Sequence, residues 1–255
     1  MLSSCLSKVA WCWRARISVG ARSAACAPDS IAVSIDINAT SVLPDPTSPW
    51  RRRSIGAVCA RHDVWIVSDE VYATLTYGNH VFASPFDNPD LADRTVVVSS
   101  ISKSHAVPGL RCGWIAAPEE FCAKAVPISE TMLFGSQPFL EDATAFALDN
   151  HFPELGAMKR GYERRARTLV AGLKPAKTVS ARMPEGGMFV MVDVRRTGLT
   201  GEQFARRLLD EENVVTMPGE SFGAGGAGHL RVALTVDEKQ IGEACRRIAA
   251  LASRL

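Results

Sequence analysis

The 255-residue chain predicts a layered α/β or α+β fold, and three observations carry that expectation. Short apolar runs of buried-strand character alternate with amphipathic, helix-like stretches. Polar residues capable of chemistry gather just after several of those runs. Composition is that of a packed globular chain: 47% hydrophobic, 22% charged and 7% aromatic residues exclude disorder and collagen-like repeats.

The elements follow in order. Ile55–Arg61 reads as the end of an amphipathic helix. Val64–Val67 is an apolar run bounded by polar residues, the mark of a buried strand. Thr95–Val98 and Trp114–Ala116 repeat that mark. Helical patterns cover Glu119–Ala125, Gln137–Asn150 and Pro153–Leu173, the last long, charged and placed to link two lobes. Thr178–Ala181 and Met188–Val194 read as strands, Gly201–Glu212 as a helix, and Val214–Met217 and Leu230–Leu234 as strands. Asp237–Leu255 is a closing amphipathic helix.

Residues 1–54 are different text. They hold seven basic side chains against three acidic ones, whereas the remaining 201 residues hold 22 against 24. The first 28 residues carry no acid, and Pro44–Arg53 is rich in Pro, Ser and Arg. Only Ile31–Ile37 alternates in polarity. A transit peptide, a flexible extension or a stretch read from a shifted frame each fit this leader.

Several function classes are excluded. Net charge is +2, so no polyelectrolyte partner such as nucleic acid is implied. No run of 18 apolar residues exists to span a membrane as a helix. Seven irregularly spaced cysteines without C-x-x-C read as reduced thiols rather than a disulfide framework or zinc site. No H-E-x-x-H, EF-hand or P-loop pattern occurs, and no metal is expected.

Five clusters carry candidate chemistry. Ser68-Asp69-Glu70-Val71-Tyr72 ends the first apolar run, where open α/β sheets place ligands. Ser99-Ser100-Ile101-Ser102-Lys103 ends the second, joining hydroxyls to an amine that can bind phosphate or form a Schiff base. Pro108-Gly109-Leu110-Arg111 offers a guanidinium fork eight residues past Lys103. Pro184-Glu185-Gly186-Gly187-Met188-Phe189 is a glycine turn that permits positive φ and close backbone approach. Pro218-Gly219-Glu220-Ser221-Phe222-Gly223 precedes Gly228-His229-Leu230-Arg231, whose arginine can clamp a carboxylate. Taken singly, each has an ordinary structural reading: a cap, a solvated lysine, a surface arginine, a hairpin, a strand-end ion pair.

Their order and spacing are specific. S-D-E-V-Y, S-x-S-K, P-G-L-R-x-G-W, E-G-G-M-F and P-G-x-S-F-G…H-L-R together resemble the class I/II aminotransferases of pyridoxal-phosphate fold type I, from Ile55 to Leu255. Ser102–Ala106, Met132–Ser136 and Gly186–Asp193 look most like the arginine–pyruvate transaminase branch. The resemblance implies part of a large domain with a mainly parallel sheet over 55–160 and a small α+β domain over 161–255, behind an atypical leader over 1–54. It implies a cytoplasmic homodimer that uses pyridoxal 5'-phosphate to move an amino group from an amino acid to a 2-oxo acid. Lys103 would hold the cofactor and move the substrate proton. Asp69 would pair with the ring nitrogen, and Tyr72 would bond the ring oxygen. Ser100, Ser102 and Arg111 would bind the phosphate, and Arg231 would grip the substrate carboxylate.

The family's upstream N-P-x-N-P-T-G segment is missing, and its phosphate loop and ring-stacking aromatic have no counterpart before Ile55. That favours the shifted-frame reading of the leader. It also predicts uncovered sheet edges and weak cofactor binding. An inactive fragment and a β-lyase of the same fold are the alternatives. An effector-binding regulator module would need a winged helix, for which 1–54 is too short.

Overall fold

The computed structural model describes residues 32–35 as backbone and residues 56–255 in full. They form two compact units. The first contains residues 32–35, 56–74 and 81–153; the second contains 75–80 and 154–255.

In the first unit, β1 (Ala32–Ile35), β2 (Trp65–Asp69), β3 (Thr95–Ser100) and β4 (Gly113–Ala116) form one sheet in the order β1-β2-β3-β4. β1–β2 and β2–β3 are parallel, and β3–β4 is antiparallel. β1 falls in the leader, on its one alternating stretch, and pairs along β2 from Ala32–Trp65 to Ile35–Ser68. β2 and β3 are where the sequence places them. Their β-branched residues suit a pleated, covered sheet, and Ile66, Val96 and Val97 are buried. Cys59, from helix 56–61, clusters with Val64, Ile66 and Leu91.

Helices α1 (Glu119–Leu133) and α2 (Pro138–Asp149) follow. α1 passes beyond Ala125, the predicted end, and runs through Pro127. Proline lacks an N–H, so the carbonyl four residues earlier loses its helical donor, but the helix continues. It stops at Phe134, which is left-handed with φ of 54°.

The second unit packs α3 (Pro153–Leu173), α4 (Gly201–Glu212) and α5 (Glu238–Ala252) with an antiparallel sheet. Its strands are β5 (Ser180–Ala181), β6 (Phe189–Asp193), β7 (Met217–Pro218) and β8 (His229–Ala233), in the order β5-β6-β8-β7. Alternation buries Val190, Val192, Leu230 and Val232 along with Phe204, Leu208, Ile241, Ile248 and Leu251. Capping boxes start two helices: Thr200 with Gln203 for α4, and Asp237 with Gln240 for α5. α3 and α5 approach closely, since a Cβ on Gly172 would lie 2.9 Å from the Cβ of Cys245.

Two expectations are corrected. Only the end of Val214–Met217 is strand. Asn213 turns left-handed with φ of 55°, and the N–H of Val214 bonds back to the Leu208 carbonyl at 3.2 Å. Those residues finish α4 instead of joining a ladder. Cys59, Cys112 and Cys245 are free and buried, but Cys122 is disulfide-bonded. Pairing depends on approach in space, which irregular spacing along the chain does not report.

Glu70 ties the ends of β2 and β3 together. Its N–H donates to the Val98 carbonyl at 2.8 Å, and its own carbonyl accepts from Ser99 Oγ at 3.3 Å. Its Oε1 accepts from Ser84 Oγ at 2.6 Å and from Ser68 Oγ at 3.0 Å. Burial pushes this carboxyl above its ordinary value, the two hydroxyls oppose that, and Asp87 and Asp69 reinforce it.

Two outcomes follow from this packing. Phe204→Ala lowers the unfolding free energy by about 3–5 kcal/mol, against under about 1 kcal/mol for Leu209→Ala, both read by urea denaturation. Phe204 is 0% exposed and Leu209 is 47% exposed. Glu70 is the pH-dependent case. A carboxyl whose folded pKa is raised opposes folding once it ionises, from about the unfolded value of 4.5 upward. Glu70→Gln keeps an oxygen for both hydroxyls and removes that cost. Its melting temperature, relative to wild type, therefore rises more at pH 7 than at pH 4.

Candidate functional site

Because β2 and β3 are parallel, their carboxyl ends reach the same edge of the sheet. β2 delivers Asp69, paired with Val98, and β3 continues two residues further to Ser100. Asp69 Oδ1 accepts the Val71 N–H at 3.1 Å, which bends the chain into the turn that carries Tyr72. Both side chains are half-buried.

Ser100 is extended, with φ of −160° and ψ of 160°, and stands just before the helical turn Ile101–Ser104. Its hydroxyl makes no capping bond. That turn carries Ser102 and Lys103, both half-buried. Ser104 Oγ donates to the Ser100 carbonyl at 3.3 Å and pairs with His105 Nδ1 at 2.9 Å. His105 Nε2 reaches the Ala147 carbonyl at 3.0 Å, which pins the segment to α2.

β4 then returns antiparallel, setting Gly113 opposite Ser100. A Cβ there would lie 2.8 Å from the Ser99 carbonyl oxygen. Arg111, two residues before Gly113, is left-handed with φ of 54°, a conformation unfavourable for a side chain of its size. Its Nη1 donates to the Pro108 carbonyl at 3.1 Å. Neither Arg111 nor Lys103 makes an ion pair among the described residues. Asp69, Tyr72, Ser100, Ser102, Lys103 and Arg111 thus all belong to the first unit and gather at one sheet edge. An acid, a phenol, hydroxyls and two cations in this setting suit an anionic ligand that also carries a basic nitrogen.

Arg231 lies in the second unit, on β8. It pairs with Met191, and Phe189 pairs with Ala233, so Phe189 is its diagonal neighbour on the face away from the core. The guanidinium carbon is 4.1 Å from the centroid of Phe189 and 4.9 Å from that of Phe222. The Arg231 side chain has no ion pair or hydrogen bond among the described residues, so its donor fork is available to a carboxylate. The glycine turn behaves as its sequence suggests. Gly187 takes φ of 91°, and a Cβ on Gly186 would lie 2.6 Å from the Leu75 carbonyl oxygen. Tyr77 closes this contact by donating its hydroxyl to the Gly187 carbonyl.

Glu70, Gly113, Phe189 and Phe222 shape these sites without having been given a role from the sequence. All four sit inside the quoted S-D-E-V-Y, P-G-L-R-x-G-W, E-G-G-M-F and P-G-x-S-F-G stretches. No helix among the described residues is long and apolar enough to cross a membrane.

Comparison with known proteins bears on the whole arrangement. Residues 50–248 match the family described as Aminotransferase class I and II. Arginine–pyruvate transaminase AruH of Pseudomonas aeruginosa is 43% identical over 211 residues, covering 82% of this chain and 53% of that protein. An aspartate aminotransferase of Streptomyces avermitilis is 28% identical, with 78% and 51% covered. The chain spans about half the length of the curated relatives it matches. An aromatic aminotransferase structure from Pyrococcus horikoshii aligns with a TM-score of 0.82 at 25% identity, covering 88% of this chain and 60% of that one. An aspartate aminotransferase from Rhizobium meliloti aligns at 0.80 and 25%, with 91% and 60% covered. The chain therefore shares the fold of these enzymes over the part that aligns, and it belongs to the class I and II aminotransferase family.

Proposed function

We propose that the protein is a pyridoxal-phosphate-dependent aminotransferase that moves an amino group from an amino acid to a 2-oxo acid. The relative in Pseudomonas aeruginosa suggests arginine and pyruvate as the pair. The gathering of Asp69, Ser100, Lys103 and Arg111 at one edge of a parallel sheet, inside the family-matching region, carries this reading.

The residues present fit the cofactor. The Ser100 hydroxyl is not spent on a cap, and Lys103 and Arg111 have no carboxylate partner among the described residues. Gly113 lets β4 pass close to the Ser100 end of β3, where a Cβ would strike the Ser99 carbonyl oxygen. Arg111, Ser100 and Ser102 would hold the phosphate, and Lys103 would hold the aldehyde carbon. Once bound, the protonated ring acts as an electron sink for the substrate Cα.

The chain's own groups do the rest. Asp69 would keep a proton on the ring nitrogen through its negative charge. Tyr72 would donate its hydroxyl to the ring oxygen. Arg231 grips the substrate α-carboxylate and orients the Cα–H bond. Once the substrate amine has displaced it from the aldehyde carbon, the freed Nζ of Lys103 would accept the proton that leaves Cα. A cytoplasmic homodimer belongs to this proposal, and the exposed Met132, Phe134, Phe139 and Phe146 supply apolar surface for a second copy.

A second reading is a non-catalytic member that keeps the site without turnover. One experiment separates the readings. The chain is incubated with pyridoxal 5'-phosphate, reduced with borohydride and mapped by mass spectrometry, alongside an assay of alanine formation from pyruvate and arginine. An adduct on Lys103, lost in Lys103→Ala, with at least a thousandfold loss of turnover in that variant, supports the enzyme. An adduct without turnover supports the second reading, and no adduct on Lys103 overturns both.

A further inference from the structure

Glu220 lies in the glycine-rich loop between β7 and β8, and none of the roles proposed above uses it. Its Oε1 accepts the N–H of Gly201 at 2.8 Å and the N–H of Gly228 at 2.9 Å. Gly201 is the first residue of α4, and Gly228 immediately precedes β8. One oxygen therefore joins the loop's entrance to its exit and fastens both to the start of a helix. A carboxylate suits that helix end, where unpaired amides and the dipole favour negative charge.

The surroundings leave little slack. A Cβ on Gly201 would lie 2.4 Å from Glu220 Oε2 and 2.4 Å from the His229 carbonyl oxygen. A Cβ on Gly219 would lie 2.0 Å from the Gly226 carbonyl oxygen. Glu220 Oε2 is shut away from solvent and has no hydrogen-bond partner among the described residues, so the acid is held through its other oxygen. Burial works against its charge, but backbone N–H groups of Gly228, Glu220, Gly201 and Glu202 together keep the carboxyl below its ordinary range.

Phe222 follows Glu220 by two residues, and Arg231 follows Gly228 by three. Both members of the 4.9 Å ring–guanidinium contact are thereby referenced to the same carboxylate. We infer that Glu220 is a positioning residue for the substrate-carboxylate subsite: it closes the loop 220–228 and so sets Phe222 against Arg231. This rests on the reading of Arg231 as the carboxylate-binding arginine. Released at Gly228, the loop carries Phe222 away, and the donor fork of Arg231 loses one of the two rings that orient it.

The test measures pyruvate binding to the full chain by isothermal titration calorimetry, with amide hydrogen exchange read in parallel. The variants are Glu220→Ala, Glu220→Gln and Arg231→Gln. Glu220→Ala is expected to weaken pyruvate at least tenfold and Glu220→Gln by about threefold, since glutamine keeps an oxygen for the two amides without the charge. Exchange should quicken in 219–228 and the first turn of α4 but not in α5, which a general loss of stability would also affect. If Arg231→Gln loses pyruvate while Glu220→Ala binds within twofold of wild type, the positioning role is overturned and the reading of Arg231 stands. If Arg231→Gln binds like wild type, or wild type does not bind, that reading fails and takes the inference with it. Should Glu220→Ala not fold, Glu220→Gln decides: a threefold loss supports the role, and unchanged affinity overturns it.

Discussion

Parallel pairing of β2 with β3 is the constraint on which the first unit depends. Strands that run the same way must end on the same side, so the residues after each apolar run become neighbours although about thirty positions separate them. An antiparallel arrangement of the same two strands would have sent Asp69 and Lys103 to opposite edges. β4 adds a second restriction by returning against β3, and Gly113 lets it do so without striking the Ser99 carbonyl. Chemistry at this edge is thus a consequence of strand direction first and of residue identity second.

The second unit solves a different problem with the same economy. Its sheet buries Val190, Val192, Leu230 and Val232 on one face, which leaves the other face for Phe189 and Arg231. A guanidinium there avoids the core and still stays partly dry because two rings lie against it. Among the described residues the guanidinium has no resident counter-ion, so an incoming anion would have none of these to displace.

What the sequence could disclose follows physical locality. α3 and α4 match their expected spans because period and caps are written within a few adjacent residues. Most strand limits agree to within a residue or two, as such limits usually do. The six residues 75–80 belong to the second unit through a bridge from Thr76 to Gly186, and no local pattern announces a partner so far along the chain. β1 had only a faint alternation to mark it. In the site, Asp69, Lys103, Arg111 and Arg231 stood out by type, whereas the surroundings of Phe222 and Glu220 are set by what a folded loop brings near them. Glu220 in particular meets backbone amides, which every residue except proline possesses and which therefore leave no trace in the sequence.

The contact between Gly172 and Cys245 has a practical side. The thiol is 2% exposed, burial pushes it up to about 11, and its sulfur bonds the Leu169 carbonyl across the helix pair. In the closed protein neither access nor ionisation permits alkylation. Capture of that sulfur by a maleimide accordingly marks each moment when α3 and α5 come apart, so the molecule carries a built-in recorder of its own breathing.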